Sequence, residues 1–126
     1  MIQQQTSLKI YDNSGAKKAK CIKVLGGYKK KIAKVGDIII VSIKELRDKS
    51  KKVSKIKRGD VHKALILHTK SKQINKDGSS FFSNMNSICL INNQIMPVGS
   101  RILGPTSKKL KKGKYSKFSN ISLGTI

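Results

Sequence analysis

Asp37-Ile38-Ile39-Ile40-Val41-Ser42-Ile43-Lys44 decides how this chain folds. The block is short and β-branched, so it reads as a strand, with Ile39, Val41 and Ile43 on one face and Ile38, Ile40, Ser42 and Lys44 on the other. A strand that is apolar on one side and half-apolar on the other fits a small closed sheet that is itself partly covered. Similar blocks run from Ser7 to Tyr11, Ala19 to Leu25, Val61 to Thr69 and Ser87 to Ile91, divided by clusters of Gly, Asp, Asn or Lys. In the last block Ile88 and Leu90 oppose Cys89 and Ile91. The pattern predicts a mainly β chain, built as a small five-stranded β-barrel with a basic hairpin or loop extension and short C-terminal helices. With no internal repeat or linker, residues 1–126 form one domain, the barrel over 1–96 and the C-terminal loop and short helices over 97–126.

The cover for the outer apolar face must come from that C-terminal third. Thr106 or Ser107 can cap a short helix through Lys108-Lys109-Leu110-Lys111-Lys112, and Gly113 can end it. Leu110 is essentially its one apolar residue, so the helix is stable only when docked.

Around this frame lies a large excess of positive charge. Of 126 residues, 28 are Lys or Arg and 6 are Asp or Glu, for a net charge of +22. A compact chain so charged repels itself and calls for a polyanionic partner, by default nucleic acid. The hydrophobic content of 37% is concentrated in blocks, which excludes wholesale disorder. There are 25 Lys against three Arg, namely Arg47, Arg58 and Arg101. Lysine supplies a flexible point charge where arginine supplies a fork for guanine edges, so phosphate binding is favoured over base readout.

Three loops concentrate the charge: Gly26-Gly27-Tyr28-Lys29-Lys30-Lys31, Arg47 to Arg58, and Lys70 to Gly78, which ends in the hairpin-type turn Asn75-Lys76-Asp77-Gly78. A single charge run is commonly just solvated. Several on one small barrel make a polyanion-binding surface. The candidate RNA contacts are Lys17, Lys18, Lys29, Lys30, Lys31, Arg47, Lys49, Lys51, Lys52, Lys55, Lys57, Arg58, Lys108 and Lys109. Proteins that hold single strands stack bases on aromatic rings, yet there is no Trp and only Tyr11, Tyr28, Phe81, Phe82, Tyr115 and Phe118. Phe81 and Phe82 point to opposite faces if extended, so at most one could stack. The balance favours a grip on the phosphates of a folded RNA.

No catalytic constellation accompanies the charge. The carboxylates are Asp12, Asp37, Glu45, Asp48, Asp60 and Asp77, and three of them adjoin glycine in pairs that read as turns. A two-metal nuclease site is therefore not expected. His62 and His68 share a strand face, but six residues at about 3.3 Å each separate them by roughly 20 Å, too far to share a metal. P-loop, GxSxG and paired CxxC motifs are absent, so neither an enzyme nor a bound cofactor or metal is expected. Cys21 and Cys89 lie in apolar runs and read as buried free thiols in a reducing compartment. The longest apolar block, Ile38 to Val41, is too short to span a membrane, and the N-terminus reads as neither a signal nor a transit segment.

A family resemblance sharpens these readings. Met1-Ile2-Gln3, Gln5-Thr6, Asp12-Asn13-Ser14-Gly15-Ala16, Cys21-Ile22-Lys23-Val24-Leu25-Gly26-Gly27, Val35-Gly36-Asp37-Ile38-Ile39 and Ile43-Lys44-Glu45 resemble, in order and spacing, the large-subunit ribosomal protein fourteen family of bacteria and organelles. The similarity continues through Gly59-Asp60-Val61, Lys63-Ala64, Asp77-Gly78, Asn92-Asn93 and Pro97, then Gly99, Arg101-Ile102, Gly104-Pro105, Leu110, Lys117 and Ile121-Ser122-Leu123.

The resemblance implies a structural protein bound to large-subunit ribosomal RNA, next to large-subunit proteins three and nineteen, and touching small-subunit RNA across the interface. DNA and membranes are not implied. The family also docks a ribosomal silencing factor through a Thr-Arg pair and a later Lys, which fall here on Ser100-Arg101 and Lys117. The chain departs from the family in a longer, more basic loop between strands three and four. It has Ser83 where an aromatic is expected, and it ends in Leu123-Gly124-Thr125-Ile126. The rival from another class is a free basic barrel acting as an RNA chaperone, disfavoured by the scarcity of aromatics and by the breadth of the match. Lys, Ile and Asn share A/T-rich codons, so the ribosome is expected in an organelle, a mitochondrion ahead of a plastid, with the bacterial cytoplasm as the alternative. The missing transit segment then implies synthesis inside the organelle.

Overall fold

The five blocks close into a barrel in a computed structural model of the protein that describes residues 1–47, 55–111 and 113–126. The barrel strands are β1 (Ser7–Ile10), β2 (Ala16–Val24), β3 (Ile38–Leu46), β4 (Val61–His68) and β7 (Ser87–Ile91), and a separate hairpin pairs β5 (Gln73–Ile74) with β6 (Ser80–Phe81). Neighbours β1–β2, β2–β3, β3–β4 and β4–β7 are antiparallel, whereas β1–β7 is parallel. Closure requires this. Strand direction must return to itself around the ring, so four reversals leave the fifth pair parallel.

The inward face of β3 is the expected one, since Ile39, Val41 and Ile43 are fully buried while Ile38, Ile40 and Ser42 are partly exposed. They meet Leu8, Ile10, Ile66, Ile88 and Leu90, with Ala16, Ala19 and Ala64 supplying the small volumes that a narrow barrel needs. Ile2 and Ala33 exchange two backbone hydrogen bonds at 3.1 and 2.8 Å, tying the N-terminus to the segment ahead of β3.

β2 starts three residues before the expected Ala19. Its register slips at Ala16/Lys18, Lys18/Ala19 and Cys21/Lys23, so burial does not follow a period of two. The first and third slips put the extra residue in β2 and the middle one puts it in β3, and Lys17 and Lys18 in succession face outward.

The outer face of β4 and β7 is covered as the sequence requires. Leu65, Leu67, Cys89 and Ile91 pack outside the barrel against Ile102, Leu110 and Phe118 of the C-terminal segment. The helix expected over Thr106 to Gly113 is instead a 3-10 turn at Lys108–Leu110, with no side-chain cap from Ser107 and no acidic residue in its first turn. Only Leu110 is buried there, too little to hold a lysine-rich α-helix. Gly113, at φ +78°, opens a second such turn at Gly113–Tyr115 instead of closing a helix, and the α-helix α1 follows at Ser116–Asn120, anchored by Phe118. Thr106 caps nothing. Its hydroxyl lies 3.2 Å from that of Ser122, and its backbone bonds Gly124 and Ile126. Among the described residues no helix is long and apolar enough to cross a membrane.

Candidate nucleic-acid interface

Because the C-terminal segment covers the apolar outer face of β4 and β7, the outer wall of β1, β2 and β3, with the start of β4, stays open and carries mainly polar residues around Ile22 and Ile40. The register aligns Lys9 with Lys18 and Lys18 with Glu45, Ser7 with Lys20 and Lys20 with Ser42, and Lys23 with Ile40 and Ile40 with Lys63. Lys9, Lys18, Lys23 and Lys63 are exposed and Lys20 is partly so. Paired residues on neighbouring strands have Cα atoms only about 4.5–5.5 Å apart, so these ammonium groups form a raised positive field on one wall.

Of the candidates named from sequence, Lys17, Lys18, Lys29, Lys31, Lys55, Lys57, Arg58, Lys108 and Lys109 are exposed, and Lys30 and Arg47 are half-buried. Lys49, Lys51 and Lys52 lie outside the described residues. Sequence reasoning put the charge in loops and passed over Lys9, Lys20, Lys23 and Lys63 on the strands. The signal was the repeated lysine in Ala16-Lys17-Lys18-Ala19-Lys20-Cys21-Ile22-Lys23, hidden by the bulges.

Two ion pairs occur among the described residues, Lys18 to Glu45 at 3.0 Å and Lys30 to Asp37 at 2.9 Å. The first is a surface pair, of the kind generally worth about 0–1 kcal/mol, so it holds Lys18 only weakly. Asp48 lies outside the described residues, and Asp37, Asp60 and Asp77 serve local turns. Asp37 accepts from the backbone N–H of Lys34, and Asp60 from that of Lys57, both at 2.8 Å. Asp77 accepts from Ser79 N–H and Oγ, which hold its carboxyl below the usual carboxylate range.

Asp12 is fully buried. Its Oδ2 accepts from Leu90 N–H at 2.9 Å, and its Oδ1 from the Ser14 N–H at 3.1 Å and the Ser14 hydroxyl. The turn it closes aims Asn13 at the loop after Gly99. The Asn13 side-chain amide donates to Ser100 Oγ at 2.8 Å and accepts from Arg101 N–H at 3.1 Å, and its backbone N–H bonds the Arg101 carbonyl at 3.2 Å. Gly99 is required for this approach, because a Cβ there would sit 2.6 Å from Asn13 Oδ1. Ser100 and Arg101 are held exposed. Ile102 N–H then bonds the Ile121 carbonyl at 3.1 Å, joining this loop to the residue that follows α1, and Lys117, at the start of that helix, is exposed with Nζ 3.3 Å from Met96 Sδ.

The two histidines differ, and His62 is half-exposed. His68 is buried, its Nε2 donating to the Pro105 carbonyl, and its ring lies edge-on to Tyr11 and tilted against Phe81. Phe81 is thereby occupied and Phe82 is exposed, the division expected of adjacent residues in an extended segment. Cys21 and Cys89 are free and buried. Burial raises both thiols above their ordinary range, and the Asp12 carboxylate raises Cys89 further. Among the described residues no three His, Cys, Asp or Glu side chains are grouped to hold a metal. A single exposed aromatic joins the lysines of the first loop, Tyr28, 91% exposed.

Compared with protein families, the chain matches the model described as "Ribosomal protein L14p/L23e" over residues 1–125.

Proposed function

The chain belongs to the ribosomal protein L14p/L23e family, non-enzymatic structural constituents of the large ribosomal subunit that bind ribosomal RNA, and on that premise we propose which of its surfaces serve which contact. The lysine wall of β1, β2 and β3, with the loops at its two ends, is the counter-charge for large-subunit RNA. What supports this is the division of the barrel surface: the apolar outer face of β4 and β7 is covered by the protein's own C-terminal segment, and the open wall carries Lys9, Lys18, Lys20 and Lys23, continued by exposed Lys63 near the start of β4. Lysine contacts that neutralise phosphate and read no base suit a partner already fixed by its own fold.

Ser100, Arg101 and Lys117 form the surface toward the small subunit, where small-subunit RNA or a ribosomal silencing factor docks, with large-subunit proteins three and nineteen beside it. The Asn13 clasp supports this reading, since it presents Ser100 and Arg101 rigidly to solvent without using the arginine's guanidinium. The ribosome is an organelle's, on the argument of the Lys, Ile and Asn usage, with a mitochondrion favoured over a plastid. A GC-rich coding sequence would contradict that assignment.

The interface assignment is tested with the double variant Arg101→Glu, Lys117→Glu. Large subunits carrying it are expected to assemble and retain the protein, yet to join small subunits less well in a sedimentation assay. Joining equal to that of the unaltered protein would contradict the assignment.

A further inference from the structure

We propose that the loop joining β2 to β3 and the N-terminal turn together form a receptacle for one unpaired RNA base, with Tyr28 as the stacking surface. This deepens the RNA-binding reading and rests on it. An open cleft of about 640 Å³ lies between the two segments, lined by Gln3, Gln4, Lys23, Tyr28, Lys29 and Lys31 among others. That is within the range of about 300–1,000 Å³ in which groups of small-molecule size are held.

The tyrosine serves no purpose in the fold. It is 91% exposed and belongs to neither apolar cluster. The loop beneath it, by contrast, is fixed. Gly26 at φ +94° and Lys29 at φ +52° are both left-handed, which turns the chain back on itself around Tyr28. Lys30 folds over Gly27, where a Cβ would meet the Lys30 Cβ at 3.4 Å, and its ammonium is tied to Asp37 at 2.9 Å. On the other side, the turn bearing Gln3 and Gln4 is held by Gln5 N–H on the Cys21 carbonyl at 2.8 Å and by Gln3 N–H on Thr6 Oγ1 at 3.1 Å. A ring projecting from a pinned loop is a preorganised platform that loses little entropy when a base settles on it.

The chemistry around the ring selects the occupant. Lys29 Nζ lies 5.4 Å from the ring centroid, and Lys23 and Lys31 line the same cleft, so a bound group must be anionic as well as flat. Glutamine amides both donate and accept, which matches the mixed edge of a nucleobase. Stacking is tolerant of base identity, and the lysines take the flanking phosphates. An isolated surface aromatic is ordinary by itself. One set in a cleft among four lysines, of which Lys30 is paired with Asp37, on a chain of net charge +22, is complementary to an unpaired nucleotide.

The test uses the full chain and two probes of equal charge, a ten-nucleotide oligouridylate and an abasic ribose-phosphate ten-mer. The unaltered protein is expected to bind the oligouridylate about five-fold or more tightly than the abasic chain, in line with the loss per stacked base seen on removing a ring. Tyr28→Leu abolishes this preference, Tyr28→Phe keeps it, and Phe82→Leu, at the other exposed ring, leaves it unchanged. Lys23→Gln with Lys31→Gln weakens both probes alike. The proposal is overturned if the unaltered protein does not distinguish the probes, or if Tyr28→Leu retains the preference. It is also overturned if Phe82→Leu is the variant that loses it. Co-sedimentation of the unaltered protein with large subunits is read separately, so a lost base preference with retained co-sedimentation defeats the base receptacle alone, and lost co-sedimentation defeats the ribosomal reading beneath it.

Discussion

Asp12 connects the barrel core to the loop that presents Ser100 and Arg101, and it does so through hydrogen bonds made in full burial. Asp12→Ala strands the Leu90 N–H inside the barrel and is expected to cost about 1–3 kcal/mol, measured by denaturant unfolding. Gly99→Ala acts on the same junction from the other side. A methyl group 2.6 Å from Asn13 Oδ1 and 3.3 Å from Asn13 N cannot be accommodated without moving the turn, and a comparable destabilisation is expected. The buried thiols set an alkaline limit. Cys89 keeps its proton in the folded state well above its ordinary pKa of 9.0, and the unfolded chain does not. Above pH 9 the folded state therefore holds more protons than the unfolded, so the stability this group contributes is full below pH 9 and is lost as pH rises further. The decline approaches about 1.4 kcal/mol per pH unit. Unfolding curves from pH 8 to 10 should show it, and Cys89→Ala should reduce it; Cys21, whose thiol is raised in the same direction, adds to the same decline. A slope unchanged by Cys89→Ala would contradict the assignment.

At the scale of elements, the short C-terminal helix is stable only through what it covers. Phe118 is fully buried against the outer face of β4 and β7. Phe118→Ala is expected to cost about 3–5 kcal/mol, the usual range for a buried aromatic. Hydrogen exchange should then quicken first in Ser116–Asn120, ahead of the barrel strands, because the helix is too short to survive undocked. Uniform loss of protection would show that the segment is not a separate cover.

The need for that cover was readable in the sequence, since Ile38 and Ile40, and Cys89 and Ile91, put apolar side chains on faces that a bare barrel would expose. The barrel was readable because these are short β-branched blocks bounded by turn residues, and in β3 burial alternates as the sequence predicts. Two features were less so. The start of β2 was obscured because three register slips break the period of two. The form of the cover was obscured because hydrophobic packing across the chain, at Leu110 and Phe118, decides where it turns, and no local propensity marks those positions. At the interface, the loop lysines were legible as runs, while the strand lysines became a surface only once the register placed them side by side. Tyr28 was visible as an aromatic but not as an exposed one, since exposure depends on the left-handed turns at Gly26 and Lys29.

For the molecule as a whole, the two halves of the barrel wall have separate uses. One is closed by the chain itself and the other is left to lysine; the family assignment makes large-subunit RNA a partner, and our proposal places it on the open half. The most direct test of that claim is the salt dependence of the full chain's affinity for large-subunit ribosomal RNA. With about ten phosphates neutralised, a plot of log K against log salt concentration is expected to fall with a slope of about −7 to −9. Replacing Lys9, Lys20, Lys23 and Lys63 together by Gln should make it shallower by about one for each phosphate that is no longer neutralised. A slope near −2, or one unaltered by the four replacements, would contradict the account.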